Sequence, residues 1–206
     1  MPVEGPQYPV LLNLAGRRCL VVGGGRVALG KVRGLLAVDA VVTVVAPDVV
    51  DELAALPGVT VERRPYRPGE VADYRLAVTA TGDAAVDGQV FDDGEAVGVW
   101  VNSADDPEHC AFTLPAVVRR GPITVTVSTG GHSPALASWL RSRLAEEVGP
   151  EYEILLQLLA ERREALRSGG IATEGLSWQE ALDSGMLELV RAGRVAEARE
   201  RLQACL

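Results

Sequence analysis

The stretch Arg18-Cys-Leu-Val-Val-Gly-Gly-Gly-Arg-Val-Ala-Leu-Gly-Lys31 decides the fold. Four apolar residues, 19–22, run into three glycines, and a helix-like pattern follows at once. A strand, a tight turn and a helix N-terminus in that order make a site for a pyrophosphate. Gly23 can turn sharply with φ > 0, and Gly25 has no Cβ to keep a phosphate off the backbone. Ala28 stands where a third small residue lets the helix pack close to the strand. The free N–H groups and positive dipole end of that helix then face the anion.

Outward from this turn, residues 18–102 alternate strands and helices, as a parallel sheet with crossover helices requires. Strands are expected at 19–22, 41–46, 59–63, 75–80 and 98–102, and their near-continuous apolar runs suit burial on both faces. After Asn102 the pattern changes. Residues 111–118 and 123–128 are strand-like, and the second alternates strictly, with Ile123, Val125 and Val127 opposite Thr124, Thr126 and Ser128. That is a half-buried antiparallel strand. Ser133 is placed to cap a helix over 135–147, with Pro134 at its first position. The rest reads as helices over 152–167, 178–191 and 194–206. The fold class is therefore α/β: a Rossmann-type parallel sheet, an antiparallel segment and a helical C-terminal region.

Composition narrows the function. The chain has 206 residues, 48% of them hydrophobic, and a formal net charge of -8, which argues against non-specific nucleic-acid binding. No basic-then-apolar leader and no membrane-length apolar run is present in the sequence, so no membrane association is expected. Three cysteines, Cys19, Cys110 and Cys205, lack metal or redox spacing and read as reduced thiols of a cytoplasmic protein. No metal site is expected.

Several polar positions carry candidate chemistry. Pro47-Asp48 ends the second strand with no Lys or Arg, which favours NAD over NADP; Asp48 suits a helix cap, a ribose contact, or both. Thr81-Gly82-Asp83 closes the fourth strand, where the second half of a dinucleotide lies, and Asp83 also suits a cap. The loop at 102–109 holds Asp105 and Asp106, fit for a general base, a metal ligand, or an Asx turn before Pro107. His109 and His132 are the only histidines and fit no metal motif. Thr129-Gly130-Gly131-His132-Ser133 is a donor-rich turn, either a substrate contact or a connection. Arg119, Arg120, Arg141 and Arg143 make this region locally basic, suited to carboxylates or to a solvated face.

These pieces in this order, from Tyr8-Pro-Val through the glycine turn, Ala46-Pro47, Ala80-Thr81, the loop at 102–105 and Ser128-Thr-Gly-Gly-His-Ser-Pro134, resemble the precorrin-2 dehydrogenase family of siroheme synthesis, some of whose members are also sirohydrochlorin ferrochelatases. The resemblance covers residues 8 to about 145 and suggests the stand-alone form, since no fused methyltransferase would fit. It implies an NAD-binding domain over 1–110, a dimerisation segment over 111–147 and a helical region over 148–206. It implies NAD⁺-dependent conversion of precorrin-2 to sirohydrochlorin by a homodimer. The family's nucleotide positions fall on Arg26, Val27, Pro47 and Asp48, and its catalytic aspartate on Asp105. Asn102, Thr129, Gly130, His132, Arg119 and Arg120 are the expected substrate contacts; Thr129 replaces a frequent serine and keeps the hydroxyl. The alternatives are a bifunctional enzyme that also inserts Fe²⁺, and a non-catalytic NAD(H)-sensing module.

Overall fold

The structure is a computed structural model that describes residues 6–104 and 106–206. Its first half runs β1 (Arg18–Val22), α1 (Arg26–Leu36), β2 (Val41–Val45), α2 (Asp51–Ala54), β3 (Val59–Glu62), β4 (Leu76–Thr79), α3 (Ala84–Val97) and β5 (Trp100–Ser103). The five strands pair in parallel in the order β3-β2-β1-β4-β5. Covering both faces explains the unbroken apolar runs. In β1, Cys19 and Val21 pack with Ala28, Leu29 and Val32 of α1, while Leu20 and Val22 pack with Val71 and Val90 on the other face. Burial pushes the Cys19 thiol up to about 11 and keeps it in the protonated, unreactive form.

The second half holds a two-stranded antiparallel sheet, β6 (Ala116–Arg120) and β7 (Ile123–Val127), then α4 (Pro134–Glu147), α5 (Glu151–Ser168), α6 (Trp178–Ala181), α7 (Leu187–Arg191) and α8 (Val195–Cys205). Ser133 caps α4 by accepting from the Leu136 N–H at 3.2 Å, and Pro134 opens the helix as the sequence predicts. Leu155, Leu158, Met186, Leu189 and Leu202 form the core of the helical region.

Two expectations change. The strand predicted over 111–118 begins at Ala116, because the preceding residues finish the first sheet instead. The Ala111 N–H donates to the Val101 carbonyl at 2.8 Å, Cys110 bridges Asn102, and Pro115 has no N–H to give a ladder. The helix predicted over 178–191 is broken by a wide turn at Leu182–Met186, where Gly185 adopts φ 88°. The chain divides into two compact units, one ending at Leu114 and including Gly130–His132, the other holding Pro115–Thr129 and Ser133–Leu206. No helix among the described residues is long and apolar enough to cross a membrane.

Candidate functional site

Strand register puts Val22, Val45, Thr79 and Ser103 level at the C-terminal edge of the sheet. From β1 the chain turns to β2 on one side and later returns to β4 on the other. Loops leave β1 and β4 in opposite directions there and open a crevice, the usual ligand position in a sheet of this kind. By contrast, a hollow of about 330 Å³ lined by Leu11, Leu12, Arg75 and Trp100 lies at the N-terminal edge, away from this crevice.

Each of the three glycines after β1 is small for a different reason. Gly23 has φ 122°, and a Cβ there would overlap the Ala80 carbonyl at the end of β4. On Gly24 a Cβ would overlap the Asp48 carbonyl oxygen and sit 2.8 Å from the Val49 Cα. Gly25 faces open space, with nothing of the described chain within 4 Å of such a Cβ. Gly25 therefore presents bare backbone, as the sequence predicts, whereas Gly24 is a packing position that the sequence did not flag. At the head of α1, Arg26 and Val27 are exposed, the first turn holds no acid, and no side chain caps its N–H groups. Those donors and the positive end of the helix are available to an anion.

After β2, Pro47 and Asp48 are both exposed. Asp48 does not cap α2: the cap position is Val50, with no side-chain hydrogen bond. Instead its backbone braces the glycine turn, and the Val50 N–H donates to the Gly24 carbonyl at 2.9 Å. A cation does reach this loop, from the end of β3, with Arg63 Nη1 3.5 Å from the Val49 carbonyl oxygen.

At the end of β4, Asp83 caps α3 as expected, its Oδ1 accepting from the Ala85 N–H at 2.9 Å. Such a cap contributes about 1 kcal/mol to helix stability. Thr81 accepts the Asp83 N–H at 3.0 Å and donates its hydroxyl proton to Asp87 Oδ1 at 2.7 Å. Asp87 is 5% exposed. A carboxylate that deep was not legible beforehand, since its spacing in α3 looks like any polar helix position.

Beyond β5, Asn102 is buried and its amide donates to the Phe112 carbonyl at 2.9 Å, which ties the loop back to the sheet. Asp105 lies outside the described residues. Asp106 pairs with His109 Nδ1 at 2.6 Å, and the imidazole meets the Phe91 ring edge-on, centroids 5.3 Å apart. That bond to Asp106 raises the His109 pKa above its ordinary 6.5 and holds the Asp106 carboxyl below the usual carboxylate range. The sequence showed no metal motif at His109; the structure gives it an i,i+3 carboxylate partner, an ion pair when the imidazole is protonated.

In the second unit, Arg119 is exposed, while Arg120 donates to the Ala145 carbonyl at 2.9 Å near the end of α4. The Thr129 hydroxyl accepts the Ser133 N–H at 3.1 Å and closes the turn, a task any hydroxyl residue there performs. Gly130 and Gly131, which belong to the first unit, have φ 59° and 80°, and His132 of that unit is exposed.

Residues 10–116 match a family described as NAD(P)-binding, and residues 120–147 match one described as Sirohaem biosynthesis protein central. Among relatives, the siroheme synthases of Nitrosococcus oceani and Nitrosomonas europaea are each 38% identical, over 97% and 96% of this chain. The chain spans 44% and 43% of their lengths, under half in both cases. A solved structure named SirC, precorrin-2 dehydrogenase, superposes with TM-score 0.75 at 27% identity, covering 96% of this chain and 100% of that one. Matched over more than half its length, the chain belongs to this NAD(P)-binding family and carries beside it the central segment of sirohaem-biosynthesis proteins.

Proposed function

We propose that this chain is an NAD⁺-dependent precorrin-2 dehydrogenase that yields sirohydrochlorin. The observation that carries the reading is the bare Gly25 backbone beneath an uncapped α1 N-terminus, in a chain that covers the whole length of a protein named for that reaction. The groups present fit a dinucleotide: Gly23 and Gly24 close the turn against Ala80 and Asp48, and Gly25, Arg26 and Val27 leave its face open. Pro47 and Asp48 stand at the adenosine end; Thr81 and Asp83 stand at the end of β4, toward the nicotinamide end.

A bound nicotinamide supplies the hydride acceptor. The chain has to orient the macrocycle, exclude competing water and accept the proton that leaves with the hydride. We assign the proton to Asp105, which follows β5 in the sequence. Asn102, held by Phe112, serves by anchoring that loop. Thr129, Gly130, His132 and Arg119 are assigned to the carboxylate-rich substrate, with Arg120 shared between substrate and the α4 C-terminus. A homodimer in the cytoplasm completes the reading.

The test is Asp105→Asn. Turnover of precorrin-2 should fall by about 10²–10⁴-fold, the range expected for losing a general base, with NAD⁺ affinity retained. Turnover unchanged would remove Asp105 from the mechanism.

A further inference from the structure

We propose that Asp87 is a positioning residue that fixes the Thr81 hydroxyl as an acceptor for a ribose O–H of the bound dinucleotide. The proposal rests on the cofactor reading above and concerns a residue with no part in it so far. Asp87 is a carboxylate 5% exposed, in the first turn of α3. Burying a carboxylate without a cation is costly, so the partners it does have need explaining. Its carboxylate accepts a hydrogen bond from Thr81 Oγ1 at 2.7 Å, a short, charge-assisted length.

The consequence follows from counting donors and acceptors. A hydroxyl carries one proton and two lone pairs. The Thr81 proton lies toward Asp87 at 2.7 Å, in preference to the neutral Asp83 carbonyl at 3.2 Å. One lone pair takes the Asp83 N–H at 3.0 Å. The second lone pair is left, so Thr81 can only accept from a ligand. Hydroxyl groups of ribose are donors of the matching kind, whereas phosphate oxygens are not. Thr81 follows β4 beside the glycine turn, its backbone N 3.2 Å from where a Gly23 Cβ would stand, with Gly82 at φ 75° bending the chain behind it. The nucleotide half that meets β4 is the nicotinamide half, so the ribose in question is the one next to the reacting ring.

Calorimetry with NAD⁺ and with AMP, on the wild type and on Asp87→Ala, tests this. NAD⁺ affinity should fall about tenfold, the value of one good hydrogen bond, with AMP affinity unchanged because AMP lacks the second ribose. Thr81→Val should reproduce that loss, Thr81→Ser should restore wild-type affinity, and the double variant should lose no more than either single one. If Asp87→Ala does not fold, the Thr81→Val and Thr81→Ser pair carries the test. Equal losses for NAD⁺ and AMP, or no loss with Thr81→Val, would overturn the assignment. A wild type that binds AMP and NAD⁺ with no difference would do so too, and one that binds neither would overturn the cofactor reading itself.

Discussion

Gly24 and Asp48 are pressed together: the Val50 N–H that follows Asp48 donates to the Gly24 carbonyl at 2.9 Å, and a Cβ on Gly24 would overlap the Asp48 carbonyl oxygen. Backbone meets backbone, so neither side can yield as a flexible side chain would. Gly24→Ala should therefore destabilise the fold by about 1–3 kcal/mol, the usual cost of overpacking. Gly25→Ala meets open space and should leave stability within about 0.5 kcal/mol while weakening NAD⁺ binding. Thermal melts and calorimetry on the two variants check the contrast. Equal effects on both quantities would show the roles of the two glycines to be misassigned.

On the proposed reading, cofactor choice is set at the same loop. Asp48 is exposed after β2, where we propose the adenosine end binds; a carboxylate there disfavours a 2′-phosphate, and Arg63 is a cation that reaches the loop from β3. The expected result is a higher kcat/KM for NAD⁺ than for NADP⁺, with the gap widened by Arg63→Glu. Comparable values for the two cofactors would contradict this.

The Asp106–His109 pair gives a pH window. His109 has its pKa raised by Asp106, so its contribution is fully present below the ordinary 6.5 and is lost as pH climbs through the raised value. Asp106 has its pKa lowered by His109, so its contribution is present above the ordinary 3.8 and is lost as pH falls through the lowered value. The loop after β5 should thus be held from the acidic range to somewhat above 6.5 and loosen in base. An NMR titration should show His109 titrating above 6.5 and returning toward it in Asp106→Asn. A wild-type midpoint at or below 6.5 would contradict the pair.

Much of the dinucleotide side of the fold was legible because it rests on local rules. The run 19–22 reads as a strand buried on both faces, Asp83 and Ser133 as caps, and Pro134 as a first helical residue, and each of these stands in the structure. What escaped depends on partners distant in sequence or on geometry with no sequence mark. Gly24 is indistinguishable from its neighbours until Asp48 is laid against it. Asp48 looks like a cap, yet α2 starts later, at Asp51. Asp87 becomes unusual once burial is known. Pro115 and Gly185 were visible as residues, but their effects on β6 and on the last helices depend on competing hydrogen bonds and on a φ that only the folded chain fixes.

The homodimer we propose would be built on α4. Leu136 and Trp139 are 48% and 57% exposed on it, beside a two-stranded sheet too small to be stable alone. Self-pairing would bury this surface with one isologous contact. Light scattering should give a dimer at micromolar concentration, and Leu136→Glu with Trp139→Glu should shift it to monomer. A monodisperse wild-type monomer would refute the arrangement.

The proposed reaction is a coupled oxidation, so its most direct test follows both products at once. Precorrin-2 and NAD⁺ are mixed with the wild-type chain, and the absorbance of sirohydrochlorin and NADH is recorded together against a no-enzyme control. Both should rise in equal amounts, and Asp105→Asn should slow both alike. NAD⁺ binding with neither product above the control would contradict it and leave a dinucleotide-sensing module in its place.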